Sequence, residues 1–379
     1  MRRLCGFCTG ASVGMLAFWI TAFSQTTVNP DISVIPRFLI ESNDGEKLAQ
    51  GKREFSRPDF TFQELELAIQ AYLNPFAKAD VLLTLPGPDV EASKLGLEEV
   101  YATVLRGLPL DLNIRVGKYR VDYGKINLTH PHAWPFITQP LSQQRFLGEG
   151  GLNDLGISVS VLLPTGDLYT KLTVDLLRGG AVPGVTGLPD TTGAKPFYAN
   201  SARLMGFFSL SDNSDAEAGI SGYTGIHDPY SRDRFWYMNL DFKYKYRPSM
   251  YTSLVLQGEY LLNKRKASRD QSLQPFLDAG GNPEQRAIAS SGLYIYADYQ
   301  FLKSFDIGTR FDWSESPYSK DDRGRAIAIF FGYYPVEETI GLRLQYQNTQ
   351  TEQPGNSQSV NWIGLQMLFS LGPHKAHPF

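Results

Sequence analysis

Cysteine is almost missing from this chain, and its two examples, Cys5 and Cys8, both lie at the extreme N-terminus. Everything downstream is thiol-free, which excludes disulfides, thiol catalysis and cysteine-ligated metals there. Long apolar runs are also lacking. After residue 25 no uninterrupted stretch approaches the roughly 18 residues of a transmembrane helix. An excess of positive charge is absent too, with 36 Lys and Arg against 39 Asp and Glu and a formal net charge of −3. That balance excludes a general nucleic-acid binder. Nor is there a motif repeated at a fixed period, as a secreted β-propeller or β-helix would need.

What is present begins with a leader. MRRLCGFCTGASVGMLAFWITAFSQ has two arginines, an uncharged apolar stretch, and Ala22 and Ser24 at the minus-three and minus-one positions of a cleavage site. Residues 1–24 therefore read as a secretory signal peptide, leaving 25–379 as a single mature domain. Both cysteines precede or fall inside the apolar core, which argues against lipidation.

Aromatic residues make up 13% of the chain and charged residues 20%, yet the mean hydropathy is only −0.24. Aromatic richness without long apolar runs is what strands produce when only every second residue meets lipid. Alternation supports this reading. Leu65, Leu67, Ile69, Ala71 and Leu73 alternate with Glu64, Glu66, Gln70 and Tyr72. The same period of two places Trp236, Met238, Leu240 and Phe242 opposite Tyr237, Asn239, Asp241 and Lys243. It also places Ile340, Leu342 and Leu344 opposite Arg343, Gln345 and Gln347.

Sixteen such segments run from 31–41 to 359–371, among them 109–123 and 325–335. Each has about the 9 to 11 residues of a tilted membrane strand. Short turns such as NPF, PTGD and SDNSD alternate with long stretches at 42–59, 126–154, 179–198, 265–289 and 316–324. The expected fold is all-β: a closed antiparallel transmembrane barrel of about sixteen strands, between 14 and 18. An even count returns both termini to the periplasm. The wettable phase predicts a lumen wall of Glu64, Glu66, Asp111, Arg115, Lys171, Asp175, Asp241, Lys243, Arg310, Asp312 and Arg343.

The blocks VGKYRVDYGKINLTHPHAWPF at 116–136, QRFLGEGGLNDLGISVS at 144–160 and GPHKAHPF at 372–379 resemble bacterial outer-membrane proteins described as zinc-regulated, in the neighbourhood of the phosphate-selective porins. The resemblance implies a sixteen-stranded diffusion channel or receptor-like barrel tied to zinc supply. TonB-type energised transport, sometimes attached to such proteins, does not fit a chain too short for a plug domain.

Five histidines occur in all, two of them in the segment HPH. Segment 126–154 follows the fifth strand and is therefore, counting by strands, the third outer loop, which in general porins of this strand number folds into the lumen. Pro131, Pro135 and Pro140 restrict its backbone, and Trp134, Phe136 and Phe146 suit packing on the wall. The expected constriction comprises His130, His132, Trp134, Arg145, Glu149 and Asp154. Imidazole suits zinc, so His130 and His132 are the candidate metal ligands, with Glu149 or Asp154 as a third; the competing role is anchoring to wall carboxylates or loop carbonyls. No other cofactor is expected.

Catalysis finds little support. Ser142 and His132, or His227 and Asp228, lack an evident third orienting group. The expected partners are outer-membrane lipid and lipopolysaccharide, the latter near KRKASR at 264–269, together with the barrel-assembly machinery, small hydrophilic solutes and two further copies in a homotrimer; no nucleic acid is expected. Residues 372–379 read as a periplasmic tail. The expected function is passive solute diffusion, and the alternative is a non-conducting receptor or adhesin that binds through its outer loops.

Overall fold

The computed structural model describes residues 30–45, 54–87, 95–166, 168–180, 199–228, 231–270, 274–336 and 339–373. The leader at 1–24 and most of the tail, with His374, His377 and Phe379, lie outside them.

Sixteen strands form one closed antiparallel barrel in which each strand pairs with its sequence neighbours and the last closes on the first. They are β1 (Asp31–Asn43), β2 (Asp59–Asn74), β3 (Ala77–Pro86), β4 (Gly96–Val104), β5 (Asn113–Arg120), β6 (Asn153–Leu163), β7 (Tyr169–Leu177) and β8 (Ala199–Ser211). The second half comprises β9 (Ser214–Asp228), β10 (Asp233–Ser249), β11 (Thr252–Ala267), β12 (Arg286–Leu302), β13 (Phe305–Ser316), β14 (Ser319–Val336), β15 (Ile340–Gln353) and β16 (Asn356–Phe369). The closing seam runs from Arg37 opposite Leu368 to Asn43 opposite Trp362. Closure leaves no unpaired edge, which is the condition for a sheet to sit in a medium without water. Among the described residues no helix is long and apolar enough to cross a membrane.

The period of two sets the two faces. On β15, Leu344 is 47% exposed while its neighbours Arg343 and Gln345 are buried. On β10, Trp236, Leu240 and Phe242 point outward, whereas Tyr237, Asn239 and Asp241 are buried inside. An apolar band around the outside of a closed cylinder is a surface for hydrocarbon.

Two expectations about element boundaries fail. Stretch 316–324 is not a long loop: Pro317 and Tyr318 make a two-residue turn, and β14 begins at Ser319. Segment 109–123 is not one strand. Pro109–Asp111 form a helical turn with left-handed backbone at Leu110 and Asp111, and β5 starts only at Asn113. Asp111 is therefore an exposed turn residue rather than part of the lumen wall.

The outward band can be checked directly. Leu344→Arg is expected to destabilise the barrel in phospholipid vesicles by about 2–4 kcal/mol, the cost of an arginine near the bilayer midplane. Chemical unfolding in lipid measures this, and an unchanged midpoint would show that Leu344 does not face hydrocarbon.

Candidate functional site in the barrel lumen

After Arg120 the chain leaves the wall and turns inward, and it returns at Asn153. Its neck is closed by a backbone bond from Val121 N–H to the Leu152 carbonyl. Asn127 reinforces it: its Nδ2 donates to the carbonyls of Val121 (2.8 Å) and Leu152 (3.0 Å), and its Oδ1 accepts from Leu152 N–H (2.7 Å). Between these ends lie short helical turns at Ile126–Leu128 and Pro131–Ala133, then one helical segment, α1 (Leu141–Leu147). Pro131 opens its turn and Pro140 immediately precedes α1, positions where a missing N–H costs nothing.

Aromatic packing holds the loop from two sides. Val121, Tyr123, Phe146, Leu147 and Leu152 bury against inward-facing Tyr119, Tyr223, Tyr237 and Leu261. On the far side Phe136 meets Tyr296 edge-on at 5.3 Å and Phe330 at 5.8 Å, with the Arg310 guanidinium 4.3 Å above its ring. Each such side chain, taken out of water, contributes about 1.5–3 kcal/mol. Thr138 adds polar contacts to Gln347 and Arg310, and Arg145 pairs with Asp322.

The charges between these clusters are buried and mutually paired. Arg203 on β8 donates to Asp122 (2.8 Å), Glu217 (3.2 Å) and Asp241 (2.6 Å). Lys125 reaches Glu217 at 2.5 Å, and Lys171 reaches Asp122 at 2.8 Å. Burial alone would raise the Asp122 pKa, but Lys171 and Arg203 outweigh it and hold the carboxyl well below the usual carboxylate range. Burial lowers the Lys125 pKa against the opposing pull of Glu217.

Glu259 on β11 is the most heavily used group. One oxygen accepts from Lys125 N–H (3.0 Å), Ile126 N–H (2.6 Å) and the Tyr294 hydroxyl (2.8 Å); the other accepts from Gln143 (2.8 Å) and Asn239 (2.6 Å). Gly124, with φ +64°, lets the loop backbone come this close, because a Cβ there would overlap the Glu259 carboxylate and the Asn239 amide.

His130 and His132 face the opposite wall. Glu66 on β2 accepts from His132 Nδ1 at 3.1 Å, Arg343 donates to the His132 carbonyl at 2.7 Å, and Glu99 on β4 accepts from His130 Nε2 at 2.9 Å. Burial and Arg120 act to lower the His130 pKa, yet the Glu99 hydrogen bond and the nearby carboxylates lift it above its ordinary value. Burial lowers that of His132, and Glu66 only partly compensates. Both Glu98 and Glu99 reach this site because pairing slips by one residue between Leu82 and Leu83, leaving Glu98 as the extra residue of a bulge.

The other expected site residues are dispersed. Trp134 is buried and donates its indole N–H to the Thr129 carbonyl. Glu149 is exposed in the turn after α1, and Asp154 binds the Leu155 and Gly179 amides at the head of β6. Neither comes to the histidines; Glu66, Glu98 and Glu99 do. Glu64 pairs with Arg37, Arg115 lies over the Tyr101 and Tyr119 rings, and Asp175 accepts from Tyr119. Arg310 pairs with Asp312, which also accepts from Leu141 N–H, and Lys243 is partly exposed. Ser142 packs beside Gly292 on β12, on a different wall from His132, and His227 is bound to the Lys266 carbonyl.

Asn127, Asp122, Lys125, Arg203, Glu217 and Glu259 were not among the residues expected from sequence. Arg203, Glu217 and Glu259 were within reach of it, since each lies in the inward phase of its strand. A cavity of about 680 Å³ remains between the loop and the β1–β6 wall, bordered by Arg37, Glu64, Glu98, Lys118, Arg120 and Glu149 among others.

No protein-family model matches the chain. An uncharacterized protein of Aquifex aeolicus (strain VF5) is 27% identical over 413 residues, covering 96% of this chain and 82% of its own length. Among solved structures, the outer-membrane channel DcaP of Acinetobacter baumannii is similar with a TM-score of 0.59 and 15% identity, over 92% of this chain and 99% of that one. The anion-selective porin of Comamonas acidovorans superposes with a TM-score of 0.60 at 9% identity, over 91% and 100%. The fold is thus that of the outer-membrane porins.

Two outcomes follow from the buried charges. Glu259→Gln turns an NH2 toward donors and should loosen the loop at a cost of about 1–3 kcal/mol, seen as faster amide exchange at Lys125 and Ile126; unchanged protection would show that the carboxylate is not an anchor. Asp122 has a depressed folded pKa, so its stabilisation is complete above its ordinary value of 3.8 and is lost only as pH falls below that toward the folded value. Wild-type protein should therefore lose stability more steeply than Asp122→Asn on acidification below that point, measured by urea titration at successive pH values. Equal slopes would contradict the assignment.

Proposed function

We propose that this protein is an outer-membrane channel through which small hydrophilic solutes diffuse passively, with residues 121–152 as its constriction. The observation that carries this reading is the loop itself: it crosses the lumen, is fixed by buried groups on facing walls, and leaves a charge-lined cavity along one side. A fixed inward loop beside a polar gap limits size without blocking passage. That the solved relatives of this fold include proteins described as a channel and an anion-selective porin supports the same reading. The short turns at 75–76, 212–213, 250–251 and 303–304 mark the periplasmic rim in this reading, which places both termini there. The link to zinc supply belongs to the proposal through the sequence resemblance.

The cavity border mixes Arg37, Lys118 and Arg120 with Glu64, Glu98 and Glu149. Selectivity is therefore set by which of these the paired partners leave unscreened. Shortening 129–147 is expected to raise both single-channel conductance in planar bilayers and the solute exclusion limit, while the barrel still folds. Unaltered conductance would remove the loop from the constriction. A purified, folded protein with no conductance would favour the non-conducting receptor instead.

A further inference from the structure

The His130 imidazole is held in an arrangement that hydrogen bonding alone does not account for. Its Nε2 is committed to Glu99 at 2.9 Å. Its Nδ1 is buried and finds no hydrogen-bond partner among the described residues. Two carboxylate oxygens, Oε2 of Glu66 and Oε1 of Glu98, each stand 3.7 Å from it. The ligand atoms of the three residues all lie within 4.8 Å of one another. These separations are too long for hydrogen bonds. Donor atoms about a tetrahedral ion with bonds near 2.1 Å stand about 3.4 Å apart, close to what is seen here.

Each of the three groups is also held in place by a further partner. Glu99 accepts from the far ring nitrogen of His130, Nε2, which turns Nδ1 toward the gap. The His132 Nδ1–H donates to the Glu66 oxygen at 3.1 Å. Arg120 donates to the Glu98 oxygen through Nε (3.1 Å) and Nη2 (2.6 Å). A carboxylate behind a ligating histidine, and hydrogen-bond donors to ligating carboxylates, are the usual outer partners of a metal site. The carboxylates of Glu64, Glu66, Glu98 and Glu99 still outnumber the guanidiniums of Arg37, Arg120 and Arg343 around it. The cavity beside the loop is bordered by Glu98, by its partner Arg120 and by Pro131, the residue after His130.

We propose that Glu66, Glu98 and His130 form a binding site for one divalent first-row cation such as zinc, with water from the cavity as its fourth ligand. One imidazole with two carboxylates suits such an ion, and the open fourth position makes the site exchangeable rather than a sealed structural one. Occupancy ties the inward loop through His130 to β2 and β4 by coordinate bonds. The site stands independently of the channel reading, because binding is measured without conductance.

The test uses full-length protein carrying His374→Ala and His377→Ala, which removes the imidazoles outside the described residues. Equilibrium dialysis against zinc chloride, with metal counted by mass spectrometry, should give one zinc per chain. His130→Ala should abolish it, and the milder Glu98→Gln should weaken it, each judged on protein that retains heat-modifiable migration. Glu99→Gln should reduce affinity by about 10- to 100-fold, as loss of an orienting partner does. No zinc in the parent would show that the Nδ1 gap holds at most a proton and overturns the proposal. So would retention of the bound zinc in both His130→Ala and Glu98→Gln.

Discussion

A carboxylate removed from water must be met by donors on nearly every lone pair, and Glu259 is where the barrel interior satisfies that demand. Its two oxygens collect two backbone amides of the inward loop, a glutamine of α1, and an asparagine and a tyrosine of the wall. An uncompensated ion there would cost several kcal/mol, so each donor is fixed by the others as much as by its own packing. The remaining interior follows the same rule. Arg203 is shared among three carboxylates, and Lys125 and Lys171 close the network from the loop and from β7. With those charges quenched in pairs, the field along the residual cavity comes from groups at its border, such as Lys118 and Glu149.

The barrel was readable because a sheet with hydrocarbon on one side and water or protein on the other writes its phase into every second residue. Trp236 against Tyr237 and Leu344 against Gln345 are examples that the structure places on opposite faces. Legibility stopped where the strands rise past the apolar band. There Arg323 of β14 pairs with Glu315 and Glu352, while exposed Lys320 and Asp321 fall in a register irregularity just after Ser319, so a polar strand end looked like a loop. Asp111 failed for the reverse reason: alternation persisted by chance into a turn whose backbone is left-handed.

The inward loop was legible as ordered and aromatic, but its partners were not. His132 is separated by 66 residues from Glu66, and Lys125 by 92 from Glu217. Period and composition carry no information at such separations without the strand order. Glu98 was hidden by a one-residue slip in pairing, which sets two adjacent glutamates on the same side of the wall and breaks the phase rule that located the others. Tyr237 was assigned to a wettable surface; its ring in fact packs under the loop against Phe146.

The contacts of this loop with β15 have a kinetic consequence. Arg343 binds the His132 carbonyl, and Gln345 the Ile137 amide, across 211 and 208 residues of chain. Closing so large a span is slow and entropically costly until the intervening strands have formed. Nothing on β15 is available to receive the loop while the barrel is still an open, growing sheet. Docking of the His132–Ile137 part of the loop on β15 and joining of β1 to β16 are therefore late events of assembly, and a chain stalled before its last strands lacks those anchors in an unsealed lumen.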